Sequence, residues 1–544
     1  MEALIARFLH YKGHWLAILA AVLGTVGFII CVVLDNKSSY SPWAFMYRME
    51  KLILLVSLAG IWIAAAIFTL TSVYYSDKTG GRSLFHDRRD YHRTMAELLR
   101  TFRDADPYRM KEDDLAYISW KNASGVILGK SDHRLIYRGT WEHGGDGANY
   151  IVFALPGAGK TTSQIIPSAL RFGGSVLAID IKGDLLNACH DKRKIKVFAP
   201  DDPKVSVHYN TLAGIEKLRP SELKTFVEQM AIILIPEEHG NDSKYFTDGA
   251  RDLFCAIALY LIREKQGITL PDIARQILTG NVIDWINKIR ESDCTEAREY
   301  SDSYWGTNET NVSGCGNELA KHIRPFASGE LAELLSDDGH CITPETLDDG
   351  YDIYIKIPQD KIQVLAPITT LLVQNFMTAF MRRTDNSSRK MIRPVLFLLD
   401  EVMQMQISGE VLTGALSTLR SKGVSIYMAV QSIGQIRKKY GEDQAREIID
   451  TCAYVSVMSA QDPESRKYFS ELFGSRRVLK VTSNDSVGTG SWWDASQQGS
   501  GSSRGAQEVR EPIFQPEDFG NLGDRVAILA NGKYIVADKC YWWK

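Results

Sequence analysis

Residues 149–172 read NYIVFALPGAGKTTSQIIPSALRF, and no other stretch restricts the fold as tightly. Residues 150–154 are a short apolar, β-prone run that suits a buried parallel strand. Pro156, Gly157, Ala158 and Gly159 then predict a turn of small residues, and Lys160, Thr161 and Thr162 open a helix-compatible segment. A strand, a glycine-rich loop and a helix in that order aim main-chain N–H groups and a helix dipole at one point, which suits a phosphate. In such a loop Lys160 reaches the β- and γ-phosphates, and the Thr161 hydroxyl ligates Mg2+. The strict spacing G-x-x-x-x-G-K-[ST] begins here with Ala154 in place of glycine, which adds little bulk. Pro167 predicts a kinked or shortened helix after the loop.

A second motif completes the first. Residues 394–401 read PVLFLLDE, an apolar run ending in Asp400 and Glu401. Beside a phosphate loop such a pair divides its work. The first acid serves the magnesium ion, and the second polarises the attacking water. The structural alternative is that the two acids cap the following helix. Two more apolar runs, 175–180 and 424–430, predict further strands of a doubly wound parallel sheet. Gln431 follows the second, where a γ-phosphate sensor belongs; the alternative there is a plain turn residue. The fold class is therefore α/β.

At 544 residues the chain predicts two to four structural units. Its net charge of −3 gives no global nucleic-acid signature, so any DNA or RNA contact needs a local basic surface or an assembled pore. The eight cysteines include no C-x-x-C pair, which argues against a zinc ribbon, a redox motif or a disulfide scaffold. His10 and His14 are spaced H-x-x-x-H with no carboxylate between them, so no metalloprotease site is indicated.

Two stretches without charge, 15–34 and 52–75, are long enough to cross a bilayer. The second is followed by Lys78, Arg82, Arg88, Arg89 and Arg93, and Arg7 and Lys12 precede the first. The positive-inside rule then puts both termini in the cytoplasm and the loop 35–51 outside. Trp15, Trp43, Tyr74 and Tyr75 would lie at the interfaces. The arginine run would meet anionic lipid or serve as a solvated linker. Further on, residues 248–263 read as a buried helix, and 270–289 as helical with a break near Gly280. A strand is expected at 351–357, and terminal strands at 525–529 and 534–537. Residues 483–505 are rich in Gly and Ser, a flexible loop or linker interrupted by Trp492 and Trp493.

The order of motifs resembles the type IV secretion coupling proteins of the TraG/TraD group, which are related to FtsK- and HerA-type motors. The resemblance rests on the hairpin, Gly125–Lys130, the loop at Lys160 with Ile166 and Pro167, and Ala178–Asp184. It continues through Tyr209–Leu212, Leu399 with Asp400 and Glu401, Val430–Ser432, Tyr440 with Gly441, Asp462–Ser465 and Leu472–Gly474. Tyr245 and Phe246 stand where many relatives open the inserted helical domain with tryptophan. The resemblance implies a two-helix transmembrane hairpin and a RecA-like P-loop domain with a parallel twisted sheet and an inserted all-α domain. Its segments would be an anchor at 1–76, a cytoplasmic linker at 77–115, and a nucleotide-binding domain split into 116–211 and 343–544 around an all-α insertion at 212–342. It further implies a bacterial inner-membrane ATPase that works as a homo-hexamer with ATP and Mg2+. Such a motor delivers relaxase-bound single-stranded DNA or effector proteins to a type IV secretion channel. Arg420 is the candidate for the arginine offered to a neighbour's γ-phosphate, its alternative being a solvated helix-end arginine. Two rival functions remain: a double-stranded DNA pump, and a docking platform that does not hydrolyse nucleotide.

Overall fold

The computed structural model describes residues 108–110, 116–118, 124–131, 134–139, 147–237, 241–383, 393–486 and 501–543, with Leu55 and Trp62 besides. The expected spans 15–34 and 52–75 lie outside the described residues, apart from Leu55 and Trp62, which are helical. The basic run after the second span, Trp492 and Trp493 also lie outside them. The chain divides into two units, one of Met1–Asp106 with Val478–Glu508 and one of Pro107–Arg477 with Val509–Lys544.

The larger unit is built on a twelve-stranded sheet. Its strands are β1 (Ala116–Ile118), β2 (Gly125–Ser131), β3 (Arg134–Gly139), β4 (Asn149–Phe153), β5 (Ser175–Asp180), β6 (Ile195–Phe198), β7 (Asp352–Lys356), β8 (Val395–Leu399), β9 (Val424–Val430) and β10 (Tyr454–Val457), followed after two strands of a separate sheet by β13 (Arg525–Ala530) and β14 (Lys533–Asp538). The spatial order is β1-β3-β2-β14-β13-β10-β4-β9-β8-β5-β7-β6. From β10 to β6 every pairing is parallel. From β10 outward to β1 every pairing is antiparallel.

The sheet is thus mixed, where a parallel one was expected. The physical reason lies in the connections. β13 and β14 are joined by the short turn Asn531–Gly532, which only an antiparallel pair accepts, and both of its residues have positive φ. The inner strands are the continuous apolar runs legible in the sequence. β4, β5, β8, β9 and β10 are buried along their whole length, as strands covered on both faces must be. Their side chains alternate between two cores: Ile151 and Phe153 pack into one, Tyr150, Val152 and Ala154 into the other.

Between β6 and β7 the chain is helical, with Pro220–Leu234, Asn241–Glu264, Leu270–Thr279, Val282–Arg290 and Glu309–Ile323 as the longer helices. The break expected near Gly280 is present. Thr269 and Asp272 box the helix start, Gly280 ends it, and the Asn281 side chain accepts from the Ile283 N–H at 2.8 Å to start the next. Tyr245 and Phe246 lie on Asn241–Glu264, with Phe246 packed so closely on Gly314 that a Cβ there would sit 2.6 Å from its ring. Among the described residues one helix, Gln359–Met381, is long and apolar enough to cross a membrane, yet 67% of its most apolar window is buried inside the protein. It is apolar all round because it is enclosed by the core.

The segment expected as a Gly/Ser loop, 483–505, overlaps two strands at its ends. Ser475–Ser486 (β11) and Gly501–Pro512 (β12) pair in a two-stranded sheet.

One buried ion pair ties the amino ends of β5, β6 and β7. Arg193, just before β6, pairs through Nε and Nη2 with the carboxylate of Asp352, and its guanidinium also donates to the Phe172 and Gly174 carbonyls at 2.9 and 2.6 Å. Asp352, 1% exposed, also accepts from the Val176 N–H at 2.9 Å. Removing the acid alone leaves a buried cation without its partner. Asp352→Ala is expected to lower stability by about 3–5 kcal/mol, read as an earlier urea midpoint by intrinsic fluorescence.

Candidate nucleotide site

The carboxyl ends of the parallel strands face one crevice, and β4 lies where successive connections leave in opposite directions, a natural ligand site. β4 ends at Phe153, and Ala154 continues it by donating its N–H to the Val430 carbonyl at 3.0 Å. Ala154 is fully buried, so a small residue is what this position needs. The loop then turns through Gly157 at φ 80° and Gly159 at φ 86°. Both values lie in the left-handed region where a side chain strains the backbone.

Pro156 and Gly157 are exposed, and Ala158, Gly159, Lys160, Thr161 and Thr162 are half-buried at the mouth of the crevice. The helix begins with a widened turn at Thr161–Ile165 before Ile166–Arg171. Pro167 has no N–H to donate back, and the local widening and the short helix follow from that. The helix is fastened to the sheet by buried polar contacts. Gln164 donates to the Leu128 carbonyl at 2.6 Å and accepts from the Tyr427 hydroxyl at 2.7 Å, while Ser168 Oγ accepts from the Ile127 N–H at 2.9 Å.

Two of the expected side chains converge on one cation. Lys160 Nζ lies 2.9 Å from Asp400 Oδ1 and 2.8 Å from Glu401 Oε1. Burial would lower the pKa of this ammonium, but the attraction of Asp400 and Glu401 outweighs it, and the net shift is upward. Thr161 Oγ1 donates to the other Asp400 oxygen at 3.3 Å. Gln431 Nε2 donates to Glu401 Oε2 at 3.3 Å. The structure therefore brings Lys160, Thr161, Asp400, Glu401 and Gln431 into one constellation. Glu401 stands at the N-cap of the short turn Val402–Gln404, but its side chain makes no capping bond there, and the later helix Gly409–Thr418 is capped by Ser408.

Arg420 is elsewhere. It is exposed, in the turn Leu419–Lys422 that enters β9, and its carbonyl accepts from the Gly147 N–H at 3.0 Å. That is the amino end of β4 and β9, while the lysine and the acids sit at the carboxyl ends.

The constellation contains groups that sequence reasoning missed. Glu401 adopts φ 59° and ψ 39°, a left-handed conformation that costs a non-glycine residue roughly 1–3 kcal/mol. The strain turns the chain sharply after β8 and keeps the carboxylate over the loop. Gln404 secures it, donating from Nε2 to Glu401 Oε2 at 3.2 Å, with its main-chain N–H on the Glu401 carbonyl at 2.9 Å. Lys439, on Ile433–Tyr440, holds the far side of the same turn by donating to the Met403 and Met405 carbonyls. Burial pushes the Lys439 ammonium down to about 8, so its charge is retained against a cost. Gln435 exchanges hydrogen bonds with Gln431 at 3.2 and 3.3 Å. A lysine inside a K-K-Y run carries no sequence mark of this duty; only the fold shows it. Asp180, at the end of β5, spends its carboxylate on the Gly183 and Leu186 N–H groups at 2.9 and 2.8 Å and so shapes a turn.

Among the described residues the seven cysteines are unpaired, and six of them are buried.

The family model described as Type IV secretory system Conjugative DNA transfer matches residues 109–544. The chain is 24% identical over 503 residues to a probable conjugal transfer protein TraG of Sinorhizobium fredii, covering 85% of this chain and 73% of the relative. It is 26% identical over 379 residues to the VirD4 protein of Agrobacterium fabrum, covering 65% of this chain and 53% of the relative. Among solved structures, the bacterial conjugative coupling protein TrwBdeltaN70 superposes with a TM-score of 0.57 at 15% identity, covering 77% of this chain and 88% of that one. That likeness establishes a shared RecA-like P-loop fold. The match across residues 109–544 places this chain in the type IV secretory system conjugative DNA transfer family, the coupling proteins of type IV secretion.

Proposed function

We propose that the chain is an inner-membrane coupling ATPase that hydrolyses ATP to pass substrate into a type IV secretion channel. The observation that carries this reading is the shared hold of Asp400 and Glu401 on Lys160, with Gln431 on the same glutamate. TrwB structures solved with ADP and Mg2+, and with non-hydrolysable ATP and GTP analogues, support it.

In this mechanism the triphosphate lies along the N–H groups of the turn Pro156–Thr162. It competes with the two carboxylates for the Lys160 ammonium, and its β- and γ-oxygens take that charge. Thr161 and Asp400 would hold Mg2+: a hydroxyl and a carboxylate oxygen 3.3 Å apart are the hard oxygen donors the ion prefers. When bound, that ion neutralises phosphate charge. Glu401, released from the lysine, accepts the proton of an attacking water, and Gln431 orients it near the γ-phosphate. Gln404 and Lys439 hold the Glu401 turn in place.

In this reading residues 116–211 and 343–544 form the nucleotide-binding domain, 212–342 an inserted all-α domain, 1–76 the membrane anchor and 77–115 the linker. The spans 15–34 and 52–75 place both termini in the cytoplasm. Six copies form a ring, and Arg420 of each reaches the γ-phosphate of its neighbour. The cargo is relaxase-bound single-stranded DNA or an effector protein.

Lys160→Ala is expected to abolish ATP binding, measured by equilibrium titration. Glu401→Gln should keep binding and lower steady-state phosphate release by about 10²–10⁴-fold. Binding lost together with turnover in the glutamine variant would count against the water-activating role. Chelating Mg2+ with EDTA is expected to stop turnover, and excess Mg2+ to restore it. Arg420→Ala should remove the turnover of the assembled ring, a loss of about 10³–10⁵-fold, without changing nucleotide affinity. A fall in affinity would contradict action across the subunit boundary.

A further inference from the structure

The strand order gives the phosphate loop two unlike flanks. On one side of β4 stand β9 and β8, which deliver Gln431, Asp400 and Glu401. On the other stand β10, β13 and β14, and the chain leaving β14 at Asp538 turns back to the loop.

That return is fastened at several points. The Lys539 ammonium donates to the Gly523 carbonyl at 2.6 Å, and its main-chain N–H to the Asp524 carbonyl at 2.8 Å. The Tyr541 hydroxyl donates to Asp524 Oδ1 at 2.9 Å. The Trp542 N–H donates to the Thr162 carbonyl at 3.2 Å. A Cβ placed on Gly159 would lie 3.4 Å from Tyr541 Cε1, so the tyrosine ring is in contact range of the loop.

Trp542 packs against a core cluster, but Trp543 is 56% exposed. Its ring centroid is 5.2 Å from that of Tyr541, with 31° between the planes, and it stands perpendicular to Trp542 at 5.9 Å.

A phosphate loop has a direction. Lys160 and the two acids mark the γ end, so the α-phosphate and the nucleoside leave past Thr162, on the flank where Tyr541 and Trp543 stand. We propose that these two rings form the platform on which the purine base of the bound nucleotide stacks. The inference rests on the reading that the Lys160 loop binds a nucleoside triphosphate. Stacking uses the face of a base and is indifferent to its hydrogen-bonding edge. The platform therefore accepts adenine and guanine alike.

The test measures equilibrium binding of ATPγS, GTPγS and inorganic tripolyphosphate to the full chain by dialysis. Trp543→Ala and Tyr541→Ala are expected to weaken both nucleotides roughly tenfold, the loss of one stacked aromatic. Tripolyphosphate affinity, which reports the loop alone, stays within about twofold, and Trp543→Tyr recovers most of the loss because it restores a ring. Unchanged nucleotide affinity in both alanine variants overturns the platform while leaving the nucleotide site intact. A parallel fall for tripolyphosphate overturns it too, because the tail then acts on the loop and not on the base. If the wild-type chain binds none of the three, or binds them regardless of Lys160→Ala, the underlying reading fails and the platform with it.

Discussion

The Lys160 ammonium, held between Asp400 and Glu401, is the contact on which the architecture of the site depends. The partners are far apart in sequence, so the contact exists only because β4 and β8 end in the same crevice with β9 between them. It is sheltered enough to be strong and open enough to be exchanged. The three side chains are 12%, 16% and 24% exposed. A deeply buried triad would resist a ligand, because separating its charges without water costs several kcal/mol. A fully exposed one would not fix the acids against a mobile lysine. Between these limits the proposed mechanism would have a triphosphate replace one set of anionic oxygens with another at nearly constant charge balance, freeing the carboxylates for other work.

The freed glutamate must not drift, and the surrounding chain is arranged to prevent that. Glu401 stands in a left-handed conformation, and such strain persists only where neighbours over-determine it. Gln404, Gln431 and the Lys439 ammonium supply those constraints from three directions. Lys439 lies on the helix Ile433–Tyr440, and Gln431 in the two-residue link between β9 and that helix. The segment that carries Gln431, the proposed sensor, therefore also grips the turn after Glu401, the proposed water-activating acid.

The parts legible in the sequence were those governed by local rules. Buried parallel strands read as unbroken apolar runs, and β4, β5, β8 and β9 fall where such runs stand. Pro167 and Gly280 act on the backbone within one turn, and each disturbs its helix where expected. What escaped depends on adjacency that topology alone creates. Nothing in residues 433–440 says that a lysine there will meet the carbonyls of Met403 and Met405. Nothing in the sequence from Lys539 to Trp543 says that it will return past β13 and β10 to touch Thr162. The mixed sheet escaped for a related reason: pairing direction is decided by connection length and by which edge is free, not by the strands' own residues.

The placement of Arg420 follows from the same geometry. β9 runs seven residues from Val424 to Val430, a distance of about 20 Å at the rise of a strand. Arg420 precedes that strand and Gln431 follows it, so the length of β9 separates the guanidinium from its own protomer's γ-phosphate end. A long side chain covers only about a third of that gap. The amino end of β4 is also closed: Asn149 donates to the Leu416 carbonyl at 2.6 Å, and Ser425 Oγ accepts from the Ala148 N–H at 3.0 Å. These bonds keep the turn Leu419–Lys422 from folding toward the crevice. In the ring proposed above, a phosphate that meets Arg420 would therefore belong to another copy of the chain. The proposed site would then be completed only at a boundary between copies, because the lysine and the acids stand at the carboxyl ends of the strands and Arg420 at the amino end of β9.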